Sequence, residues 1–186
     1  MRLRLSNRLA LLPTPYKDEN LVLGIDPGSA LMGWGLVHLR PDDSLEMINY
    51  GAISTSPRLP MPQRLQQIYR QLTGLLETAF PSEIAIEELF FNKNTTTVIA
   101  VSQARGVALL AAADHNIDVF EYTPLQVKQA LVGYGRAQKD QVQEMVRILL
   151  NLDQIPKPDD AADALAIAIC HIRSRRFMSR LEAQNG

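Results

Sequence analysis

Leu21-Val-Leu-Gly-Ile-Asp-Pro-Gly-Ser29 is the stretch on which the fold of this chain turns. An unbroken apolar run such as 21–25 is either a strand covered on both faces or a piece of buried helix. The Asp-Pro-Gly-Ser that follows is a turn signal and decides for the strand, with Asp26 at its end. Next along the chain, 32–39 alternates Met32, Trp34 and Leu36 with Gly33, Gly35 and Val37, and 45–53 is a third extended stretch. Short links make these three an antiparallel meander. The character changes at Pro60. Leu65, Ile68, Tyr69, Leu72, Leu75, Leu76 and Ala79 recur at helical spacing, and Pro81 stops that helix. Ile84-Ala-Ile86 is a short buried strand running into Glu87. An alanine-rich helix over 98–113, a strand over 117–122 and helices over 124–132, 139–150 and 160–173 complete the chain. The order β-β-β-α-β-α-β-α-α-α predicts an α/β domain with a mixed five-stranded sheet and helices on both faces.

The 186 residues suit one domain, and 46% hydrophobic with 21% charged residues is ordinary for a globular protein. Pro13, Pro15 and the polar 17–20 set off residues 1–20 as an extension. The domain is expected over 21–173, with a basic tail over 174–186. The single cysteine, Cys170, excludes a disulfide framework and a cysteine-based zinc site within the chain, and it points to a reducing cytoplasm. No apolar run approaches the ~20 residues of a membrane span. Net charge is −1, but its distribution is uneven. Arg2, Arg4, Arg8 and Lys17 face Asp18 and Glu19 at one end; Arg173, Arg175, Arg176 and Arg180 face Glu182 at the other. The middle is left with 11 basic and 17 acidic side chains. An acidic middle suits a carboxylate site that takes cations, and basic ends are equally at home as solvated tails.

The acids themselves fall in three places. Asp26 ends one buried strand and Glu87 another, and Asp160 and Asp163 share a helix start. If the two strands are parallel neighbours, their ends lie side by side where ligands of such sheets bind. Asp160 and Asp163, spaced i, i+3, share one helix face. Four converging carboxylates cannot all stay charged without cations. An oxygen-only donor set selects Mg²⁺ or Mn²⁺, and two such ions suit phosphodiester hydrolysis. Each position also has an ordinary reading: acids complement a helix N-terminus, and Asp26 before Pro-Gly suits an Asx turn.

Leu23-Gly-Ile-Asp-Pro-Gly-Ser29, Ala85-Ile-Glu-Glu88, Gln103-Ala-Arg-Gly106, Gln126-Val-Lys-Gln129 and Asp160-Ala-Ala-Asp-Ala-Leu-Ala166 together resemble the RuvC-type Holliday-junction resolvases, from about residue 21 to 172. The resemblance implies an RNase H-like fold, a homodimer, Mg²⁺ dependence with two ions per site, and paired nicks in four-way DNA junctions. It also implies RuvA and RuvB branch-migration proteins as partners. Asp26, Glu87, Asp160 and Asp163 match the family's acidic positions. Lys128 and Lys139 match basic positions tied to DNA contact and catalysis, and Phe90 matches an aromatic at the junction crossover. Asp159 is an extra acid beside Asp160, and either one fits with Asp163.

Other residues are readable without the family. Gly133-Tyr-Gly-Arg136, flanked by the two lysines, makes a basic loop that suits a phosphate backbone or a solvated helix connection. Phe90 and Phe91 sit just past the Glu87 strand, to wedge at opened bases or to fill the core. Arg105 is a DNA contact or a salt-bridge partner. His171 reads as a surface residue and Cys170 as a small buried one. Two competing functions remain at this level. Gly24–Ser29 also resembles the phosphate loop of actin-like ATPases, which need a second such domain, and a junction-binding module would bind without cutting.

Overall fold

A computed structural model describes residues 18–88 and 95–185. The elements follow the expected order: β1 (Asp18–Asp26), β2 (Leu31–Leu39), β3 (Leu45–Ser54), α1 (Met61–Ala79), β4 (Pro81–Glu87), α2 (Thr95–Asp114), β5 (Asp118–Tyr122), α3 (Pro124–Val132), α4 (Lys139–Leu149) and α5 (Asp159–Asn185). They build one five-stranded sheet in the order β3-β2-β1-β4-β5. β1 runs antiparallel to β2 and parallel to β4; β3 is antiparallel to β2, and β5 is parallel to β4.

The central place of β1 explains its apolar run. Leu21, Leu23 and Ile25 face a core shared with Ile68, Leu72 and Leu76 of α1 and with Ala104 and Ala108 of α2. Val22 faces the opposite core, which α3, α4 and α5 close. α5 lies directly on the sheet. A Cβ at Gly24 would overlap the backbone of Ala164, and one at Gly33 the backbone of Asp160. These two glycines let a helix backbone touch a sheet backbone, and Ala161, Ala164 and Ala168 complete the contact, all fully buried.

Two boundaries and one side chain differ from the sequence reading. β1 begins at Asp18, so 18–20 belong to the sheet; Asp18 pairs with Pro81, and backbone pairing needs no apolar side chain. Residues 1–17 lie outside the described residues. The last helix does not end at Arg173: 174–185 continue α5 as helix, with no Gly or Pro to stop it before Gly186. Its arginines are engaged, Arg175 with Glu83 (2.6 Å) and Arg176 with Asp43. His171, expected at the surface, is 2% exposed, because the face of α5 that carries it packs on β4 and β5. Among the described residues no helix is long and apolar enough to cross a membrane.

Candidate functional site

Ile25 of β1 pairs with Ile86 of β4, so Asp26 and Glu87, one residue further on, leave the sheet side by side at its carboxyl edge. The helix brings the other acids. Gly33 pairs with Asp26 across β2 and lies under the backbone of Asp160, which seats the first turn of α5 over the same edge. Asp160 and Asp163 project from one face of that turn, where the helix dipole favours negative charge.

Burial and mutual repulsion both act on these acids. Burial pushes Asp26 up to about 7, and the charges of Glu87, Asp163 and Asp160 push the same way. Burial raises Glu87 and Asp163 as well, Glu87 with help from the Asp163 charge. Lys139, the first residue of α4, opposes this. Its Nζ lies 2.8 Å from Asp163 Oδ2 and 3.8 Å from Asp159 Oδ2, and its charge lowers Asp26 and Glu87. The hydrogen bond to Asp163 raises Lys139 in turn. Asp159 behaves differently from Asp160. Lys157 donates to Asp159 at 2.6 Å and holds it below the usual carboxylate range, whereas Asp160 acts on Asp26. Among the described residues no three Asp, Glu, His or Cys side chains are gathered closely enough to chelate an ion; the acids interact through space, with an ammonium group seated on one of them.

The structure brings most of the expected site residues together. Glu87, Asp163, Lys128 and Lys139 line one cleft of about 240 Å³, floored by Val127, Val142 and Ala166. Lys128 reaches it from α3, whose start is fixed by Thr123: the Gln126 N–H donates to the Thr123 hydroxyl at 3.2 Å, and the Thr123 N–H donates to the Gln126 side chain at 2.8 Å. Arg136 is exposed in the turn that joins α3 to α4. Arg105 forms an ion pair with Glu121 of β5, the second of its two expected roles. Phe90 lies outside the described residues.

One part of the site had no signal in the sequence. The turn after Asp26 is held from two distant elements. The buried Thr55 hydroxyl donates to the Ser29 carbonyl at 2.6 Å, and Arg64 of α1 donates to Thr55 Oγ1 at 2.9 Å and Ser29 Oγ at 3.3 Å. Nothing in the Thr55-Ser-Pro stretch marks it for that task, since the contact exists only once β3 and α1 are in place.

Comparison with known proteins agrees with this geometry. A model of the family described as crossover junction endodeoxyribonuclease RuvC matches residues 22–171. The crossover junction endodeoxyribonuclease RuvC of Alkaliphilus metalliredigens is 58% identical over 159 residues, 86% of this chain and 96% of that protein. The Rubrobacter xylanophilus protein of the same name is 58% identical over 161 residues, covering 87% and 89%. Among solved structures, Thermus thermophilus RuvC in complex with a Holliday junction substrate superposes with a TM-score of 0.78 at 34% identity, covering 84% of this chain and 96% of that one. The yeast mitochondrial Holliday junction resolvase Ydc2, at 16% identity and a TM-score of 0.64, shares the fold. The mixed sheet of order 3-2-1-4-5 with helices on both faces is thus RNase H-like, as expected. The chain belongs to the RuvC family of crossover junction endodeoxyribonucleases.

Proposed function

We propose that this chain resolves four-way DNA junctions by paired, metal-dependent nicks, and that Asp26, Glu87, Asp160, Asp163 and Lys139 form the catalytic centre. The observation that carries the reading is the meeting of four acids from β1, β4 and α5 with Lys128 and Lys139 at one sheet edge, in a chain of this family. The donor set is that of hard divalent cations, which would draw the acids closer together: every candidate ligand is a carboxylate oxygen, and Asp26 is pushed up to about 7 by burial first and by its negative neighbours second. Asp26, Glu87, Asp160 and Asp163 would hold two Mg²⁺, with Mn²⁺ as substitute. Bound there, the ions supply an activated water and Lewis-acid stabilisation of the phosphate.

The chain's own groups do the rest. Lys139, freed from Asp163, turns its ammonium to the phosphate whose charge grows during attack. Lys128 and Arg136 hold the backbone on either side without reading sequence. The apolar floor of the cleft lowers the polarity beneath the lysines and strengthens their contacts with phosphate. Phe90 wedges into bases opened at the crossover. The products carry a 5′-phosphate and a 3′-hydroxyl.

Two nicks of like polarity call for two sites related by a two-fold axis, hence a homodimer. Support comes from α2, whose apolar residues are not confined to the face that packs inward. Ala104, Ala108, Ala111 and Ala112 are buried inward, while Ile99 and Leu110 are more than half exposed and need a cover. RuvA and RuvB are the expected partners on junction DNA, in the cytoplasm.

A synthetic mobile junction tests the reading. Binding in EDTA and symmetric nicking on adding Mg²⁺ are expected, with a sedimenting mass near twice 20.7 kDa. Wild-type chain mixed with excess Asp26→Asn chain should give mostly single nicks. Binding without nicking in either Mg²⁺ or Mn²⁺ would make the chain a junction-binding module instead.

A further inference from the structure

At the sheet edge opposite the acids, a groove of about 490 Å³ opens between the end of α1, the start of β4 and the turn from α2 into β5. Leu76, Phe80, Pro81 and Ile117 give it mainly apolar walls, and Glu77 and Asn116 stand among them. Phe80 is the notable wall. It is 49% exposed, large and aromatic, and nothing among the described residues covers it.

The chain itself supplies a cover. Residues 1–17 enter the sheet at Asp18, and Asp18 pairs with Pro81, a wall of the groove. Their carboxyl end is therefore fixed at the groove's rim. The segment reads Met-Arg-Leu-Arg-Leu-Ser-Asn-Arg-Leu-Ala-Leu-Leu-Pro-Thr-Pro-Tyr-Lys, with Leu9, Leu11 and Leu12 as its densest apolar part. From Asp18 back to Leu12 an extended chain spans roughly 20 Å, ample to lay those leucines across the groove. Charge agrees: Arg8 precedes the leucines, and the exposed acids Glu77 and Asp118 flank the groove. A tether this short holds the leucines at millimolar effective concentration, so modest contacts suffice.

We propose that Leu9–Leu12 of the N-terminal segment docks into the groove lined by Leu76, Phe80, Pro81 and Ile117 of the same chain. The groove lies at the far end of β1 and β4 from Asp26 and Glu87, so the docked segment covers apolar surface and leaves the cleft open.

Engineered cysteines in the full chain test this, because the native Cys170 is buried and does not compete. Leu11→Cys with Glu77→Cys should oxidise to an intrachain disulfide about tenfold faster than Leu11→Cys with Met178→Cys, a control on the exposed apolar stretch of α5. Equal rates, a faster bond to α5, or a bond between two chains would each overturn the proposal. A cysteine-free check is amide exchange. Replacing Leu9, Leu11 and Leu12 together by Ser should speed exchange at 76–81 and 115–118 and leave junction cleavage at its wild-type rate. Unchanged protection there would equally overturn it.

Discussion

α5 carries two groups of ionisable side chains about two turns apart, and they solve opposite problems. Around His171 every charge has its complement. The ring donates from Nε2 to Glu83 at 2.9 Å and accepts the Tyr122 hydroxyl at Nδ1 at 2.8 Å, and Arg175 donates to the same Glu83 oxygen at 2.6 Å. Glu83 can only accept, which puts a proton on Nε2, and burial lowers His171 and so favours the neutral ring with Nδ1 open to the Tyr122 hydroxyl. At the start of the helix, Asp26, Glu87, Asp160 and Asp163 face one another with Lys139 as the ammonium group within reach. The first group welds α5 to β4 and β5. The second is left short of positive charge, the condition that lets a site take up cations. A protein can hold such a frustrated corner because its neighbour is fully satisfied.

The largest effect should come from breaking the frustrated corner. Asp26→Asn, Glu87→Gln and Asp163→Asn should each lower nicking at least about 100-fold while junction affinity holds or rises, read by gel shift and cleavage on one substrate. Asp160→Asn should join them and Asp159→Asn should not, since Asp159 is bound to Lys157. Normal cleavage by any of the first four removes that residue from the site.

Next in size is the satisfied group. His171→Ala leaves Glu83 and Tyr122 short of a partner in a buried place and should cost about 3 kcal/mol in denaturant unfolding. Cleavage per folded molecule should change little. A loss of cleavage without loss of stability would mean that the two groups are not separable.

Stability against pH separates them by sign. Asp26 is raised when folded, so its protonated form costs nothing below its unfolded value of 3.8. As pH climbs from there to about 7 the unfolded chain ionises first, and metal-free stability declines by a few kcal/mol at most. His171 is depressed, so its contribution is complete above 6.5 and is lost as pH falls through its folded value. In chelator, Asp26→Asn should flatten the decline between pH 4 and 7 and raise Tm at pH 8. A pH dependence of Tm over that range that is identical in the wild-type and Asp26→Asn chains would contradict the assignment.

The smallest effect is that of the lysines. Lys128→Ala and Lys139→Ala should weaken binding to different junction sequences about equally, each reducing the salt-dependence slope by about one. If cleavage falls while affinity and slope stay fixed, that lysine acts on the reacting phosphate alone.

Much of this was legible in the amino-acid order, for local reasons. An apolar run closed by Asp-Pro-Gly, a helical stripe closed by Pro81 and a pair of acids at i, i+3 are statements about neighbours in the chain, and neighbours decide strands, turns and helix faces. The element order and the four candidate acids can therefore be read from the chain itself. Where a strand or helix stops was less legible: Asp18–Asn20 joined β1 through backbone pairing, and 174–185 stayed helical through arginines that find Asp43 and Glu83. Three things were decided only by packing in three dimensions. Gly24 and Gly33 set how closely α5 lies on the sheet, and that distance places Asp160 beside Asp26. Thr55 and Arg64 lock the turn after Asp26 from elements far along the chain. His171 is buried because β4 and β5 bring Glu83 and Tyr122 to its two nitrogens. Such contacts depend on which elements become neighbours in space, and no local pattern of side chains encodes that.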